Sequence, residues 1–412
     1  MHIVIANQWY PPESGWGGVA MYNHTIAHAY RALGHEVTII ARRNDAATPV
    51  NVEIDGLHIH RLLTRDHYYL RRAPIAGYYS RPLQQLSYSR RVRQQLTELH
   101  RTQRIDVIEF AEINAEGYFF SRRPFAPFVV RCHTPTFVLR DSIRWEENSF
   151  DTTIVSACEK QTIRRAHALT APSGDMAQRI AQAAGINQSE ITVIPNPLNA
   201  SSLNGNANGH QAGRVSASPA VLYVGRIERA KGIFTLAEAI PRVIKEQPEA
   251  RFVIAGYDRS TRNGTSQRAE VEAQLVRAGC GAKVEFAGAV EQSGLRSLYE
   301  RAEVCVVPAL QYESFSYTCA QAMAAGKPVI ATRIGGLSET VEHGVTGLIV
   351  EPGDADELAA SILKLLKDRD ARARMGRAGH EKVLREFDPL SVARRNLEVY
   401  ERAKQVFEGK AL

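Results

Sequence analysis

The chain has 412 residues, of which 44% are hydrophobic and 23% are charged. This composition is that of a globular protein with room for two ordinary domains, and it excludes a disordered or fibrous chain. No apolar run approaches the roughly 20 residues that cross a bilayer. The apolar start at residues 3–6 ends at Trp9, Tyr10 and Pro11, so we expect a first strand instead of a signal peptide, and a cytoplasmic protein.

The net charge of +7 comes mainly from an arginine-rich segment, residues 61–104, in which tyrosines are interleaved with arginines. This segment suits an anionic acceptor or the inner membrane surface, but a solvated helix face after an irregular loop explains it equally well. Binding to nucleic acid would also use a basic excess. No motif indicates base reading, so we expect no nucleic acid partner. The five cysteines lack metal-ligand spacing and are typical of small buried residues in a reducing compartment.

The amino-terminal half opens with a strand at residues 1–6, a glycine loop, a helix at 19–33 and a second strand at 35–41. This pattern begins a nucleotide-binding unit. The loop contains Gly17 and Gly18 but not the G-x-G-x-x-G spacing. Arg42 and Arg43 follow the second strand where NAD-binding units carry an acid, so NAD binding is disfavoured.

His133 follows a predicted core strand, residues 128–132, which is an active-site position by topology. A histidine that merely caps the strand edge is the alternative. The other elements predicted in this half are strands at 105–110, 168–172 and 191–194, a loop and helix at 112–121, and helices at 159–167 and 175–184.

Residues 199–219 are rich in Asn, Ser, Gly and Ala and predict a flexible linker or an exposed insertion. A strand at 221–224 then leads to Arg226, and Lys231 precedes a helix at 233–245. Arginine can bind phosphate oxygens through two hydrogen bonds, and lysine supplies a mobile point charge. Two surface cations near a helix start are the alternative interpretation.

The stretch from Glu313 to Asp354 has the most informative pattern. A strand at 304–308, a loop at 311–316 and a small-residue helix at 318–325 would place Glu313 and several backbone N–H groups at the carboxyl edge of a sheet. Gln321 follows a little over two helical turns later, so both side chains could face one crevice. An anionic or polyhydroxyl ligand would suit such a crevice. The alternative is a solvated loop acid and a helix-surface amide.

The remaining predictions are a polar surface loop at 257–267, strands at 251–255, 328–331 and 347–350, a strand and turn at 284–290, a helix carrying Glu339 and Glu342, and helices at 355–366, 372–385 and 390–407. Two Asp-x-Asp pairs, at 354 and 356 and at 368 and 370, have the spacing of a metal-binding pair. Helix capping explains the first and a solvated loop the second, so we expect no metal and no cofactor.

The succession of acid, aromatic, small-residue helix, Gly-Lys-Pro-Val, Gly-Gly, Gly-x-x-Gly-Leu and Pro-Gly-Asp resembles the nucleotide-sugar site of retaining glycosyltransferases of group 1. The resemblance covers nearly the full chain. It implies an α/β protein of the GT-B fold, with two Rossmann-like domains facing each other across a cleft. Residues 1–198 would form the acceptor-side domain, 199–219 the linker and 220–389 the nucleotide-sugar domain. The final helix, 390–412, would cross back to the first domain.

The resemblance also assigns roles to residues. Glu313 and His133 would be catalytic, with His133 near the anomeric carbon of the transferred sugar. The loop residues Ser314, Phe315 and Ser316 would contact sugar and phosphate. Gln321 would bind the ribose, where the family usually has Glu, and Ser316 stands where the family usually has Gly. The remaining contacts would come from Arg226, Lys231, Gly17 and Gly18 for the diphosphate, and from Val290 for the base.

The implied activity is metal-independent, retaining transfer of a hexose, glucose or a relative, from a nucleotide diphosphate sugar. The family's frequencies favour UDP, and the acceptor would be a glycan or lipid-linked molecule of polysaccharide or glycoconjugate biosynthesis. A non-catalytic nucleotide-sugar or glycan-binding protein of the same fold is the alternative, because Gln321 and Ser316 depart from the family pattern.

Overall fold

The computed structural model describes residues 1–12, 14–43, 45, 47–63, 80–142, 150–200, 220–258 and 264–409. The chain divides into two compact units. Unit 1 comprises Met1–Pro197 and Pro389–Leu412, and unit 2 comprises Leu198–Asp388. The predicted linker lies outside the described residues apart from its first two positions, as do residues 64–79 of the arginine-rich segment.

Unit 1 contains an eight-stranded sheet. Its strands are β1 (His2–Ala6), β2 (Glu36–Arg43), β3 (Asn51–Ile54), β4 (Leu57–Leu63), β5 (Val107–Ala111), β6 (Phe128–Arg131), β7 (Ala168–Ala171) and β8 (Ile191–Val193). Their order is β3-β4-β2-β1-β5-β6-β7-β8, and only the β3–β4 pair is antiparallel. The central strands are buried along their whole length, as expected for parallel strands covered on both faces.

The helices of unit 1 before the linker are α1 (Gly18–Ala32), α2 (Ser80–Thr102), α3 (Tyr118–Ser121), α4 (Thr136–Ser142), α5 (Phe150–Arg164) and α6 (Gly174–Ala184). The ends of α6 show how local sequence sets these bounds. The Ser173 hydroxyl accepts the Met176 N–H at the start, and Gly185 at the end adopts a left-handed conformation with φ +66°.

Unit 2 contains a six-stranded, wholly parallel sheet in the order β11-β10-β9-β12-β13-β14. Its strands are β9 (Ala220–Val224), β10 (Arg251–Ala255), β11 (Val284–Gly288), β12 (Val304–Val307), β13 (Val329–Thr332) and β14 (Gly347–Val350). Its helices are α7 (Ile233–Glu246), α8 (Gln267–Arg277), α9 (Gln292–Arg301), α10 (Tyr317–Ala324), α11 (Leu337–Thr340), α12 (Ala355–Lys367) and α13 (Arg369–Glu386). The expected α/β class with two parallel-sheet domains is therefore confirmed.

The last helix, α14 (Pro389–Phe407), packs in unit 1 through a buried polar network. The Tyr400 hydroxyl donates to Glu109 on β5 at 2.5 Å and lies 2.7 Å from the Tyr30 hydroxyl of α1. Asn396 donates to the hydroxyls of Tyr22 and Tyr30 at 3.2 and 2.9 Å. The expectation that the final helix returns to the amino-terminal domain is confirmed.

Most predicted elements are confirmed, with instructive differences. Helix α5 begins at residue 150 and not at 159, because its buried stripe includes the polar Thr152, Ser156 and Glu159, which weaken the apolar period in the sequence. Helix α11 ends before Glu342. Helix α13 begins three residues earlier than predicted. Residues 368 and 370 therefore lie at the start of this helix, and the prediction of a solvated loop there is wrong. Elements β3, β4, α4, α8 and α9 were not predicted.

Among the helices within the described ranges, none combines the length and the apolar character that crossing a membrane requires.

Candidate functional site

The strand order of unit 2 places β9 and β12 side by side at the centre of the sheet. The chain extends the sheet in one direction from β9 and in the other from β12. Ligands of such sheets bind at this switch point, beyond the carboxyl ends of the strands. The loop after β9 carries Arg226 and Lys231, and the loop after β12 carries Glu313. The candidate site of unit 2 is built on these two loops.

Direct backbone contacts hold the two loops together. Gly232 has φ +73°, and a Cβ at this position would lie 1.6 Å from the carbonyl oxygen of Pro308. The N–H groups of Leu310 and Gln311 both donate to the carbonyl of Ala230, at 2.9 and 3.0 Å. Only glycine permits this approach at this backbone conformation, so Gly232 fixes the separation of the two loops.

This approach brings two of the predicted site residues into contact. The Lys231 ammonium forms an ion pair with the Glu313 carboxylate. Their side chains keep 27% and 18% of their exposure, so the pair is partly accessible to solvent and does not lie in the core. A cation and an anion held at this edge could bind a phosphate and a hydroxyl of the same ligand.

Arg226 is oriented by two neighbours, Glu228 in its own loop and Tyr223 on β9. Its guanidinium pairs with the buried carboxylate of Glu228 at 2.8 Å, and its carbonyl accepts the Tyr223 hydroxyl at 2.7 Å. The guanidinium keeps further N–H donors beyond those that one carboxylate uses. Glu228 was not singled out from the sequence, because an acid two residues after an arginine carries no signal of its own.

The Glu313 loop is fixed from the opposite side by the Gly-Gly pair. The Gly336 N–H donates to the Glu313 carbonyl at 2.8 Å. Gly335 has φ +53°, and a Cβ there would lie 2.4 Å from the same carbonyl oxygen. The Gly-Gly pair of the motif therefore makes a close backbone approach to the loop that carries Glu313.

The three loop residues after Glu313 differ in their environment. The Phe315 ring is 8% exposed and packs edge-on against Phe387, with 5.2 Å between centroids. Ser316 is 6% exposed and caps α10, where its hydroxyl accepts the Cys319 N–H at 3.3 Å. This cap explains how serine is accommodated where the family usually has glycine. That Ser314, Phe315 and Ser316 contact sugar and phosphate stays a prediction. Because the Phe315 ring is packed against Phe387, the contact of Phe315 would be made by its backbone.

Gln321 lies on α10 and is 4% exposed. Its Oε1 accepts the hydroxyl of Tyr299, a fully buried residue of α9, at 3.2 Å. The alternative interpretation of Gln321 as a helix-surface amide is therefore wrong, and its predicted contact with the ribose stays a prediction. The partner Tyr299 could not be found from the sequence, because the two residues are 22 positions apart and no motif joins them.

Val290, the predicted base contact, is half-buried after β11 and packs against the core that includes α10.

In unit 1, the predicted site residue His133 lies two positions after β6 and is 5% exposed. Its ring meets Tyr22 edge-on, with 4.9 Å between centroids, and its Nε2 has no hydrogen-bond partner among the described residues. Burial, together with the Arg131 guanidinium, holds the pKa of His133 well below its usual value. The imidazole is therefore neutral and could donate or accept one hydrogen bond.

The backbone of His133 is held by a buried acid that the sequence interpretation did not single out. The Glu112 carboxylate accepts the His133 N–H at 2.8 Å and is fully buried. Burial raises its pKa to about 7, against the opposing effect of the backbone N–H donors of His133, Glu112 and Thr134. Topology could have found it, because Glu112 directly follows β5 as His133 follows β6.

Two further buried acids brace the same edge of the unit 1 sheet. Glu116 accepts the backbone N–H and the side-chain amide of Gln8, the latter at 2.8 Å. Glu159 accepts the N–H groups of Asn114 and Thr136 and the Thr136 hydroxyl. Burial raises the pKa of Glu116 and of Glu159 to about 8. These acids tie the segments that leave β1, β5 and β6 to one another.

Gly17 and Gly18 lie at the start of α1. Gly17 is the cap residue, in extended backbone, and its carbonyl accepts the Met21 N–H at 2.9 Å. A Cβ at Gly17 would meet no atom of the described residues within 4 Å, so packing inside unit 1 does not demand glycine there. The role of both residues at a diphosphate stays a prediction.

The arginine-rich segment is only partly a solvated surface. Arg61 and Tyr88 are buried, and Arg91 and Arg93 donate to the carbonyls of Leu63 and Phe119. The remaining face of α2 borders a cavity of about 680 Å³. Its lining contains three arginines and one acid and consists of Arg90, Arg93, Gln94, Thr97, Glu98, Arg101 and Phe119.

Asp354, Asp356 and Asp368 of the two Asp-x-Asp pairs have structural partners. Asp354 and Asp368 cap α12 and α13 by accepting the N–H groups of Glu357 and Ala371, each at 2.8 Å. Asp356 pairs with Arg242 at 2.6 Å. Within the described part of the chain, no group of three or more His, Cys, Asp or Glu side chains is placed to hold a metal ion.

Two family models match the chain. The model described as "Glycosyl transferase 4-like domain" matches residues 17–197, and the model described as "Glycosyl transferases group 1" matches residues 209–382. The second match contains the loops that carry Arg226, Lys231 and Glu313.

Curated relatives carry names of the same class. The chain is 33% identical to the glycogen synthase of Mycobacterium tuberculosis over 256 residues, which are 61% of this chain and only 58% of that relative. It is 27% identical to the D-inositol 3-phosphate glycosyltransferase of Thermobispora bispora over 95% of this chain and 91% of that relative.

Solved structures are similar to the chain over nearly its whole length. The sucrose-phosphate synthase of Thermosynechococcus elongatus is 24% identical with a TM-score of 0.78, covering 100% of both chains. HepE of Anabaena, in complex with UDP-glucose, is 20% identical with a TM-score of 0.73, covering 97% of this chain and 99% of that one. At these identities the likeness shows the fold. From the two family models and the two-unit architecture we conclude that the chain belongs to the group 1 glycosyltransferases and has their GT-B fold.

Proposed function

We propose that the protein is a retaining, metal-independent glycosyltransferase that moves a hexosyl group from a nucleotide diphosphate sugar to a hydroxyl acceptor. One observation carries the proposal: Lys231 and Glu313 meet at the switch point of the unit 2 sheet, with Arg226 in the same loop as Lys231. A donor of this class has an anionic diphosphate and a polyhydroxyl sugar, and this site offers cations and a carboxylate side by side.

The leaving group explains the two cations. In sugar transfer the bond between the anomeric carbon and the diphosphate oxygen breaks, and negative charge develops on the diphosphate. Lys231 and Arg226 would neutralise this charge, as would the backbone N–H groups at the start of α10. These groups supply the stabilisation that a metal ion gives in other enzymes, so the proposed reaction needs no metal.

Glu313 is assigned to the sugar. Its carboxylate would accept hydrogen bonds from sugar hydroxyls and would stabilise positive charge on the reacting ring. The sequence offers no nucleophile pair for a double displacement. We therefore assign retention to attack on the same face that the diphosphate leaves. The acceptor oxygen bonds to the anomeric carbon, and its proton passes to the departing diphosphate oxygen.

His133 is proposed to contact the transferred sugar near the anomeric carbon. Its unpartnered, neutral Nε2 supports this role, since a buried polar atom without a partner costs free energy unless a ligand satisfies it. The backbone bond to Glu112 would hold the loop in position.

We propose UDP as the nucleotide and glucose or a related hexose as the sugar. The support is the family resemblance together with HepE of Anabaena, whose crystal structure contains UDP-glucose. The acceptor is proposed to be a glycan or lipid-linked molecule at the inner membrane surface, contacted through residues 61–104. Among the described residues, the support for a membrane contact is the basic face of α2, which contains Arg90, Arg93 and Arg101.

The donor is tested by thermal shift with UDP, GDP, ADP and dTDP, each with EDTA. At about 100 times its dissociation constant, a ligand adds roughly 2.7 kcal/mol of stability. We expect one nucleotide to raise the melting temperature in the wild type, with EDTA present, and to lose this effect in Lys231→Ala. If none of the four shifts the wild type, the diphosphate site is wrong.

Turnover separates the enzyme from a non-catalytic binding protein. The matching nucleotide sugar is incubated with and without acceptor, and released nucleotide is measured. Absence of release in the wild type and in Gln321→Glu, with donor binding retained in both, would favour the binding protein.

Membrane contact is tested by flotation with vesicles of neutral lipid and with vesicles containing anionic lipid. We expect co-flotation only with anionic lipid, and its loss in Arg90→Glu/Arg101→Glu. Equal behaviour with both vesicle types would remove the support for the membrane contact.

A further inference from the structure

A cavity of about 370 Å³ lies at the amino edge of the unit 1 sheet. Its lining includes Ala168 and Leu169, the first two residues of β7, and Ser189 and Glu190, which precede β8. Residues from the end of α5 and from the last turns of α14 complete the lining. His133 follows β6 at the opposite, carboxyl edge of the same sheet. The cavity is therefore separate from the residues to which the proposed function assigns the reaction.

Two arginines line this cavity. Arg164, at the end of α5, donates through Nε to the carbonyl of Ala184 at 2.6 Å. Arg402, on α14, donates through Nη2 to the Thr192 hydroxyl at 3.0 Å. Within the described part of the chain, neither guanidinium has a further hydrogen bond or an ion pair with a carboxylate. A guanidinium has five N–H donors, so both arginines keep donors for a ligand.

The other polar groups of the lining also favour an anion. His167 accepts the Phe128 N–H on Nδ1 at 3.1 Å, so its ring proton must be on Nε2, which is then a donor. Burial lowers the pKa of His167, so the ring is neutral near pH 7. Ser189 adds a hydroxyl, and the Oε1 of the lining acid Glu190 accepts the Asn187 N–H at 2.9 Å. Two guanidinium groups and one carboxylate give the described lining a net charge of +1.

The size and the walls of the cavity suit a small organic molecule. Its volume of about 370 Å³ lies within the usual range of small-molecule sites, roughly 300–1,000 Å³, and exceeds what a bare phosphate ion fills. Four apolar side chains form part of the wall, those of Ile163, Leu169, Ile186 and Val406. Such a wall can cover the organic part of a ligand whose anionic group is bound by the arginines.

A phosphate group matches these donors better than a carboxylate does. It has three terminal acceptor oxygens and a charge of about −1.5 to −2 at pH 7, whereas a carboxylate has two oxygens and a single charge. Guanidinium groups bind phosphate through pairs of parallel hydrogen bonds. We propose that this cavity is a binding site for a small phosphomonoester, whose phosphate is held by Arg164 and Arg402. This inference goes beyond the proposed function and does not depend on it.

The test is isothermal titration calorimetry of the full chain with phenyl phosphate, inorganic phosphate and benzoate. Phenyl phosphate combines a phosphomonoester with an apolar ring. Inorganic phosphate lacks the ring, and benzoate carries a carboxylate in place of the phosphate. We expect phenyl phosphate to bind the wild type with a dissociation constant below about 1 mM, and the other two probes to bind at least about 10-fold more weakly.

Single substitutions locate the site. Arg164→Ala and Arg402→Ala each remove a charged donor, and each is expected to weaken phenyl phosphate binding by about 10-fold or more. Arg165→Ala and Arg395→Ala are the matched controls and should bind like the wild type, because both arginines are exposed and lie outside the lining. Arg395 donates to the Val193 carbonyl of β8 at 2.8 Å, much as Arg402 donates to Thr192. Arg402→Lys, which keeps the charge but loses the planar fork, replaces Arg402→Ala if the alanine variant fails to fold.

Lys231→Ala separates this cavity from the candidate site of unit 2. Phenyl phosphate binding that is retained in Lys231→Ala and weakened in Arg164→Ala and Arg402→Ala supports the inference. Loss in Lys231→Ala alone would place the phosphate in unit 2, which overturns the inference and leaves the proposed function standing. The inference is also overturned if the wild type does not bind phenyl phosphate up to about 10 mM, or if both arginine variants keep the wild-type affinity. Equal affinities for inorganic phosphate and phenyl phosphate would overturn the assignment to a phosphomonoester.

Discussion

The ammonium of Lys231 and the carboxylate of Glu313, 82 positions apart in the chain, form an ion pair at the carboxyl edge of the unit 2 sheet. Each residue belongs to a different predicted motif, one assigned to diphosphate and one to sugar. Their contact couples the two halves of the proposed donor site before any donor is bound. A bound donor would have to share or replace this ion pair. A change in the charge of Lys231 or of Glu313 would therefore also affect how the other residue binds the donor.

Glu313→Gln removes the negative charge and keeps the shape of the side chain. We expect kcat/KM for sugar transfer to fall by about 10²- to 10³-fold, the usual effect of losing one charge-stabilising group. The melting temperature should change little, because a partly exposed ion pair contributes about 0–1 kcal/mol. Glu351→Gln, which breaks the exposed pair with Arg333, is the control and should keep full activity. Near-normal turnover in Glu313→Gln would remove Glu313 from the mechanism.

Gly232→Ala tests the contact between the two loops. Both Gly232 and Gly344 have positive φ, at +73° and +79°, but only Gly232 has an atom, the Pro308 oxygen, in the path of a Cβ. Gly344→Ala should therefore lose only about 1–2 kcal/mol for the left-handed backbone. Gly232→Ala should lose more than about 3 kcal/mol, because the backbone itself must move. Urea unfolding measures both, and equal losses would show that the loop contact is not rigid.

Three of the buried acids of unit 1, Glu112, Glu116 and Glu159, predict how stability depends on pH. The pKa of Glu112 is raised to about 7 and those of Glu116 and Glu159 to about 8, above the value of about 4.3 in an unfolded chain. The folded state therefore binds more protons between these values, and the stability that depends on protonation is lost as the pH rises through 7 and 8.

We expect the melting temperature to fall between pH 6 and pH 8.5 at constant ionic strength. Glu116→Gln, which cannot ionise, should reduce this decline, whereas Glu53→Gln at an exposed edge position should retain it. A decline of the same size in Glu116→Gln would show that this carboxyl does not titrate in the range.

Tyr400→Phe tests the network that holds the last helix in unit 1. The change deletes the hydroxyl that bonds Glu109 and Tyr30 and leaves both without that partner in a buried site. We expect a loss of about 1–3 kcal/mol in the free energy of unfolding, measured in guanidinium chloride. Tyr257→Phe, at a side chain that is 54% exposed, should cost almost nothing. A negligible loss in Tyr400→Phe would mean that apolar packing alone holds α14.

The sequence by itself determined the class of the fold and the candidate loops of unit 2. Short apolar strands, glycines after strands and helix caps act locally, so their pattern predicts parallel strands and the loops at their carboxyl ends. The motifs around Arg226, Lys231 and Glu313 could be found for the same reason. The pattern failed at α5, where polar residues occupy the buried stripe.

The tertiary structure alone decided which residues act together. Lys231 meets Glu313 because β9 and β12 are neighbours in the sheet and Gly232 lets their loops touch. The pairing of Gln321 with Tyr299, and the bonds that Glu112 and Glu116 make to His133 and Gln8, join segments distant in the chain. Such contacts depend on where strands and helices are placed in space. Local propensity and periodicity in the sequence do not determine that placement.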